Sequence, residues 1–229
     1  MRKPIILTTV LATVVAAAAL AGPAAAEIIE VGDTGQVAPA PACPQTDTCQ
    51  AIGRITGYQI QIGETRNPFR VAKDGHVVAL TLTLPVPTAK QMTFFNDVFG
   101  GAPAVRVAIL RPRPVKGQRY RYALAGQSET FALTSFLGSN PQFALARSLS
   151  VKKDDVIALT VDTWIPAFAV NLDKTNAWRS SRDAKACDDV QKSAMHDKRG
   201  SIKQYGCLYR TARLLYSATV VVDPKKTSK

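Results

Sequence analysis

The sequence holds few of the residues that usually carry catalysis: two histidines and four glutamates among 229 residues. A β-sandwich glycosidase needs two carboxylates that face each other across the sugar, and no E-x-D-x-x-E strand pattern occurs. A serine nucleophile needs a neighbouring base, and the segment Gly126-Gln127-Ser128 lacks the second glycine of a nucleophile elbow. Only His76, at the start of a predicted strand, and His196, in a charged segment expected to be solvated, could serve as that base. The composition favours a protein without catalysis, and an extracellular hydrolase stays as an alternative.

Metal-ligand patterns are also missing. The four cysteines have the spacings C-x5-C and C-x19-C, which match no zinc pattern, and no D-x-D-x-D calcium loop occurs. We therefore expect no metal and no cofactor. An even number of cysteines predicts disulfides in an exported protein. Of the three possible pairings, proximity in the sequence favours Cys43–Cys49 and Cys187–Cys207.

Only one long hydrophobic run occurs, and it lies at the N-terminus. Arg2 and Lys3 precede an uncharged run over residues 5–20, and three alanines then end at Ala26. A positive start, an apolar middle and an A-x-A end predict a secretory signal peptide over residues 1–26, cleaved after Ala26. The run is too short and too rich in alanine for a membrane anchor. We expect a secreted, extracellular protein without a transmembrane anchor.

Acidic residues are outnumbered. Without Arg2 and Lys3, the chain from residue 27 onwards has 27 lysines and arginines against 17 aspartates and glutamates, a net charge of +10. A basic exported protein is attracted to anionic surfaces such as wall polymers, acidic polysaccharide or lipid headgroups. Nucleic acid is not an expected partner of an exported protein, and the charge could also serve solubility alone.

Helical periodicity is rare, whereas alternation of apolar and polar residues with period two recurs from residue 52 onwards. Short runs rich in valine, isoleucine and threonine are bounded by glycine, proline or aspartate, as in half-buried strands of a sandwich. The runs cover residues 58–62, 78–84, 105–109, 143–145, 157–161 and 216–222. This pattern predicts an all-β, antiparallel β-sandwich over residues 52–224, with Leu80 and Leu159 in its core.

The flanking segments and two short helices complete the predicted organisation. We expect an N-terminal strand and connector over residues 27–51, and a basic tail over residues 225–229. Residues 91–98 are predicted to form a turn or two of helix, and residues 183–195 a short helix within a loop.

Three segments in order carry a resemblance: VAKDGHVVALTLTLP, AVRVAILRP and FALARSLSVKKDDVIALTVDTWIPAF. Their arrangement resembles a jelly-roll-type β-sandwich found in uncharacterised exported bacterial proteins. The resemblance covers residues 71–168 and the last strand, and its motifs are structural. It implies a jelly-roll-like fold and no particular activity. Asp154 stands where glycine is commoner in such turns.

The segment over residues 171–210 is long for a loop between core strands, and long loops on sandwiches are often functional. Trp178 stands among polar and charged residues, so we expect an exposed indole that could stack on a sugar ring beside arginines that pair with acidic groups. The alternative is that the aromatic residues, Tyr209 included, plug the end of the sandwich. The predicted ligand-binding residues are Trp178, Arg179, Arg182, Trp164 and Tyr205.

A second basic stretch covers residues 111–122, RPRPVKGQRYRY. Alternation in a strand would place Arg119 and Arg121 on one face, and Tyr120 and Tyr122 on the other face, in the core. A solvated hairpin is the simplest interpretation of this stretch. Together these observations predict a secreted, non-catalytic binding module for an anionic envelope or extracellular polysaccharide. The alternatives are a hydrolase, and an inhibitor that presents the disulfide-bridged loop to a partner protein.

Overall fold

The computed structural model describes residues 26–224, so the predicted signal peptide and the basic tail over residues 225–229 lie outside the described residues, apart from Ala26. Strands account for most of the regular structure. In chain order they are Ile28–Val31 (β1), Ile52–Ile62 (β2), Thr65–Arg66 (β3), Gly75–Leu82 (β4), Ala104–Pro112 (β5), Arg121–Gln127 (β6), Phe131–Ala132 (β7), Gln142–Val151 (β8), Val156–Ile165 (β9), Phe168–Ala169 (β10), Ala177–Ser180 (β11), Ile202–Gln204 (β12), Cys207–Arg210 (β13), Arg213–Leu214 (β14) and Tyr216–Val222 (β15). One helix, Ala89–Phe99 (α1), and one 3-10 turn, Thr134–Phe136, complete the elements.

The strands form two main antiparallel sheets. Sheet A has the order β1-β15-β4-β8. Sheet B has the order β12-β6-β5-β9-β2-β11-β13, with β3 and β7 paired at its side, and it curls into a half-barrel. A small third sheet pairs β10 with β14. The predicted all-β, antiparallel sandwich is confirmed.

The core lies between the sheets and is filled by apolar residues of β4, β5, β9 and β15. Leu80 and Leu159 are both fully buried, as predicted. Burial of one such side chain stabilises the fold by about 1.5–3 kcal/mol. On β4 the pairing shifts between Val77 and Ala79, so Val77 rather than Val78 faces the core.

Helix α1 covers one end of sheet B. Thr88 caps its first turn in a capping box with Gln91, and Gly100 ends it in the left-handed region at φ 81°. Phe95 packs on Trp164 of β9, with ring centroids 5.0 Å apart. The predicted helix over residues 91–98 is confirmed and extends further at both ends.

The predicted helix over residues 183–195 is wrong, because this segment consists of turns. The carbonyls of Asp189, Val190 and Lys192 all accept hydrogen bonds from Arg182, whereas a helix would align them along its axis. The long segment over residues 171–210 also supplies β11, β12 and β13 to sheet B. It is therefore part of the sheet and not a free loop.

Both predicted disulfides, Cys43–Cys49 and Cys187–Cys207, are confirmed. The first tethers the connector beside α1, because Cys43 belongs to the small apolar cluster of Phe95, Phe99 and Trp164. The second joins the turns after β11 to the start of β13. Among the described residues no helix is both long and apolar enough to cross a membrane.

Candidate functional site

The predicted ligand-binding aromatic residues are buried. Trp178 is 3% exposed, so the expectation of an exposed indole is wrong. Its ring stacks on Tyr209, with centroids 4.3 Å apart, and contacts Phe168 edge to face. Gly57 on the adjacent β2 leaves room for the ring, since a Cβ atom there would lie 3.0 Å from the indole. Phe168 and Tyr209 supply the apolar cover that the local sequence does not show.

Trp164 also lies inside the protein. Its indole Nε1 donates to Asn96 Oδ1 at 2.9 Å and to the Gly101 carbonyl at 3.0 Å. These two bonds attach the end of α1 to β9. Ligand binding by Trp164 stays a prediction, and its full burial weighs against it.

Arg182 is buried, and its side chain joins separate backbone segments by hydrogen bonds. Its terminal nitrogens donate to the carbonyls of Asp189, Lys192, Gly53 and Val190. Burial lowers the pKa of its guanidinium. Because these four carbonyls use both terminal nitrogens, Arg182 presents no two-pronged donor to an acidic ligand.

His196 is fully buried, so the expectation that it is solvated is wrong. Its Nε2 lies 2.9 Å from the Ser201 carbonyl, and its Nδ1 lies 3.2 Å from the Tyr205 hydroxyl. A carbonyl only accepts, so Nε2 carries the proton and Nδ1 accepts from Tyr205. Burial lowers the pKa of His196 and raises the pKa of Tyr205 well above its usual value. His196 is held as a neutral structural residue.

A row of buried polar side chains connects His196 to sheet B. Thr56 Oγ1 lies 2.8 Å from Thr160 Oγ1, and it accepts the His196 backbone N–H at 2.9 Å. Gln127 donates to Thr160 and to the His196 carbonyl, both at 3.1 Å. Each of these groups has a partner inside the protein, which is typical of a structural network.

The serine considered as a nucleophile has no base. Ser128 Oγ accepts from the Val107 N–H at 2.9 Å and donates to the Glu129 carbonyl at 2.8 Å. A cleft of 640 Å³ between β6 and β8 holds a single carboxylate, Glu129, which accepts from the Ala146 N–H at 2.6 Å. The carboxylate of Asp162 pairs with Arg106 at 2.6 Å. None of these groups forms the carboxylate pair that a glycosidase needs.

Tyr120 is a second aromatic residue whose position differs from the prediction, because it does not lie in the core. Strand β6 begins only at Arg121, so the alternation that would bury Tyr120 does not apply to it. Tyr120 has a left-handed backbone, with φ 60°, and is 38% exposed. A bulky residue in this region is uncommon and often marks a functional position.

Arg179 covers one face of this ring. Its guanidinium carbon lies 3.7 Å from the centroid of Tyr120, a cation–π contact. It also donates to the Tyr205 carbonyl at 3.0 Å. The Tyr205 N–H in turn donates to the Tyr120 carbonyl at 2.9 Å. Arg179 is thus the predicted ligand-binding residue that contacts the exposed ring of Tyr120.

Two depressions meet at Tyr120, and we call them together the Tyr120 site. The first has a volume of 210 Å³ and is lined by Tyr58, Tyr122, Arg70 and neighbouring residues. The hydroxyls of Tyr58 and Tyr122 are 2.7 Å apart. The second has a volume of 710 Å³ and is lined by Gly117, Gln118, Arg119, Tyr120 and Gln204.

The hairpin that borders the Tyr120 site is basic. Within residues 26–224, Arg113, Lys116, Arg119 and Arg121 form no ion pair. Arg70 pairs with Asp154 at 3.2 Å, both half-exposed. Asp154 has φ 74°, the conformation that makes glycine common at such turns. The site therefore combines tyrosine rings with four basic side chains that form no ion pair within the described chain, and with one ion pair, Arg70–Asp154.

The part of the chain that the structure describes holds no cluster of side chains able to bind a metal ion. Comparisons with protein-family models, with curated proteins and with solved structures gave no match to this chain.

Proposed function

We propose that this protein is a secreted, non-catalytic module that binds an acidic polysaccharide at the Tyr120 site. The observation that carries the proposal is the partly exposed Tyr120, held in a left-handed conformation under Arg179 and bordered by Arg113, Lys116, Arg119 and Arg121, which form no ion pair among the residues that the structure describes. An aromatic ring offers a flat apolar surface to a sugar, and arginine forks pair with carboxylate or sulfate groups.

The two depressions would contact different parts of the ligand. Tyr58 and Tyr122 lie at the base of the smaller depression, where their buried hydroxyls bond to each other. Tyr120 and Arg70 are the exposed groups there that a sugar could contact. Arg119 lines the larger depression, where its charge would attract an acidic substituent. Such a surface would bind without a conformational change in the sheet, because Tyr120 is tied to Tyr205 through the backbone.

Export is part of the proposal and rests on two observations. The N-terminal residues have the pattern of a cleaved secretory signal. The described chain has two disulfides and no free cysteine, which is typical of proteins in oxidising compartments.

The test is calorimetric titration of the chain from residue 27 with polygalacturonate, using neutral dextran of matched length as the reference. Tyr120→Ala should weaken the binding of polygalacturonate about tenfold, the loss expected for one stacking contact of about 1.4 kcal/mol. Phe136→Ala, which removes an equally exposed ring elsewhere, should leave the affinity unchanged. Added salt should weaken the binding of polygalacturonate to the unmodified protein, because salt screens the attraction between exposed charges. If Tyr120→Ala and Phe136→Ala bind polygalacturonate with equal affinity, the site does not lie at Tyr120. If dextran binds as tightly as polygalacturonate, the protein does not recognise an acidic ligand and the proposal is wrong.

A further inference from the structure

A cavity of 430 Å³ adjoins the Tyr120 site at Gln204, which lines both this cavity and the larger depression of that site. We call it the Lys203 cavity. It lies between β12 and the turns that follow β11. Strand β12 pairs with β6 along one edge, and within residues 26–224 no strand pairs with its other edge. The Gln204 side chain donates to the Arg119 carbonyl, which ties β12 to the hairpin that carries Tyr120.

Lys203 is a half-buried cation in the wall of this cavity. Its Nζ donates to the carbonyls of Ala194 at 3.1 Å and Met195 at 2.7 Å. An ammonium group has three donors, so one donor is left after these two bonds. Lys203 forms no ion pair within the described chain. Burial lowers the pKa of its ammonium group, and the charge of Asp197 opposes this shift only in part. A partly desolvated cation of this kind is stabilised by an anion that binds beside it.

The other charges of the Lys203 cavity leave its wall positive. Lys192 is exposed and forms no ion pair among the described residues. Arg182 uses its terminal nitrogens for backbone carbonyls but keeps its charge. Asp183 is the one carboxylate among the lining residues, and it accepts the Lys185 backbone N–H at 3.0 Å. The wall thus carries more positive than negative charge.

Positive charge therefore continues from the Tyr120 site into the Lys203 cavity. Arg119 lines the depression on one side of Gln204, and Lys203 lines the cavity on the other side. A chain with an acidic group on each unit can place one group near each cation, whereas a single sugar acid reaches only one of them. Ile202, which is 45% exposed, also lines the cavity and offers an apolar contact to a sugar ring.

We propose that the ligand is a linear chain with acidic groups on successive units, bound from Tyr120 past Gln204 into the Lys203 cavity. One unit stacks on Tyr120, and an acidic group of a later unit pairs with Lys203 and Lys192. The inference rests on the proposed function and extends it, because it makes an extended polyanion the ligand and a short oligosaccharide a weak substitute.

The length of the ligand tests this inference. Calorimetric titration of the chain from residue 27 should be carried out with trigalacturonate and with octagalacturonate at the same ionic strength. Trigalacturonate should occupy the Tyr120 site, which supplies the stacking contact. Octagalacturonate should bind about tenfold more tightly, because it also reaches the two lysines.

Three variants separate the cavity from a general effect of length or charge. Ser193 is exposed and lines the cavity, so Ser193→Trp should fill it and remove most of the advantage of octagalacturonate. Lys192→Gln should weaken octagalacturonate about threefold, the effect of one exposed ion pair. Lys198→Gln removes an exposed lysine that does not line the cavity and should leave the affinity unchanged. All three variants should bind trigalacturonate as the unmodified protein does, which also shows that they are folded.

The outcomes distinguish this inference from the proposed function. If Tyr120→Ala weakens trigalacturonate but Ser193→Trp keeps the full affinity for octagalacturonate, the Tyr120 site stands and the extension into the cavity is wrong. Equal affinity of the unmodified protein for the two oligomers, or equal losses in Lys192→Gln and Lys198→Gln, would also overturn the extension. If Tyr120→Ala leaves the binding of both oligomers unchanged, the proposed function and the extension are both wrong.

Discussion

Trp178 and Arg179 are neighbours in β11, yet they belong to two regions with opposite character. Trp178 is 3% exposed and packs among aromatic rings, whereas Arg179 lies over Tyr120, which is 38% exposed. Strand geometry alone makes this separation, since successive residues point to opposite faces. A short strand can thus contribute to a packed aromatic cluster on one face and to a basic aromatic surface on the other. Variants that affect one face and spare the other test this division.

The largest effect is expected where both regions depend on the same core. Leu159→Asp places an unpaired carboxylate in the core and should unfold the protein, since burial of an isolated charge costs several kcal/mol. Circular dichroism should show loss of the β signal. Val86→Asp, at an exposed valine, should stay folded. A folded Leu159→Asp variant that still binds polygalacturonate would contradict the orientation of β9.

A smaller effect separates the two faces. Trp178→Ala should lower the free energy of unfolding by about 3–5 kcal/mol, because it empties a packed aromatic site. Tyr120→Ala should lower it by about 1 kcal/mol or less, since it removes a surface ring and one cation–π contact. Urea denaturation of the two variants measures the difference, with Phe94→Ala as the control for loss of an exposed ring. Comparable losses in Trp178→Ala and Tyr120→Ala would show that the two regions do not differ as the burial implies.

The smallest effect concerns pH. Burial lowers the pKa of His196 in the folded protein, so the unfolded chain binds the proton more readily. The contribution of His196 to stability is complete above its usual pKa of about 6.5, and it is lost as the pH falls from there through the lowered pKa of the folded state. Urea denaturation between pH 7 and pH 5 should show this loss in the unmodified protein.

Two histidine variants make this pH prediction specific. His196→Gln should flatten the pH dependence, and His76→Gln should keep it. His196 contacts the Tyr205 hydroxyl, and the Tyr205 N–H donates to the Tyr120 carbonyl, so polygalacturonate binding should weaken with the acid transition. A pH profile that His196→Gln leaves unchanged would assign the transition to other groups.

The fold could be predicted because its signals are local. Alternation placed Leu80 and Leu159 in the core, and short sequence separation paired the cysteines correctly. The helix near residue 91 begins with a capping box, and its sequence pattern is a threonine, Thr88, three residues before a glutamine, Gln91. Each of these features depends on residues that are close in the chain or repeat with a fixed period.

The environments of the candidate site residues could not be predicted, because distant residues determine them. Trp178 has polar neighbours in the sequence, but Phe168 and Tyr209 cover it. His196 lies in a charged segment, and its partners Thr56 and Tyr205 come from β2 and from the turn between β12 and β13. The alternation breaks at Tyr120 because its φ is positive, and a tyrosine at that position gives no sign of a positive φ in the sequence.

The Cys187–Cys207 bond turns residues 187–207 into a covalent ring. Lys198 and Arg199, which are exposed within that ring, are the natural targets of a trypsin-like protease. A cut there cannot release either half, because the disulfide still joins them. In gel electrophoresis the cleaved molecule should migrate as one species until a reductant is added. The bond thus keeps both parts of the chain together after a cut in this exposed turn.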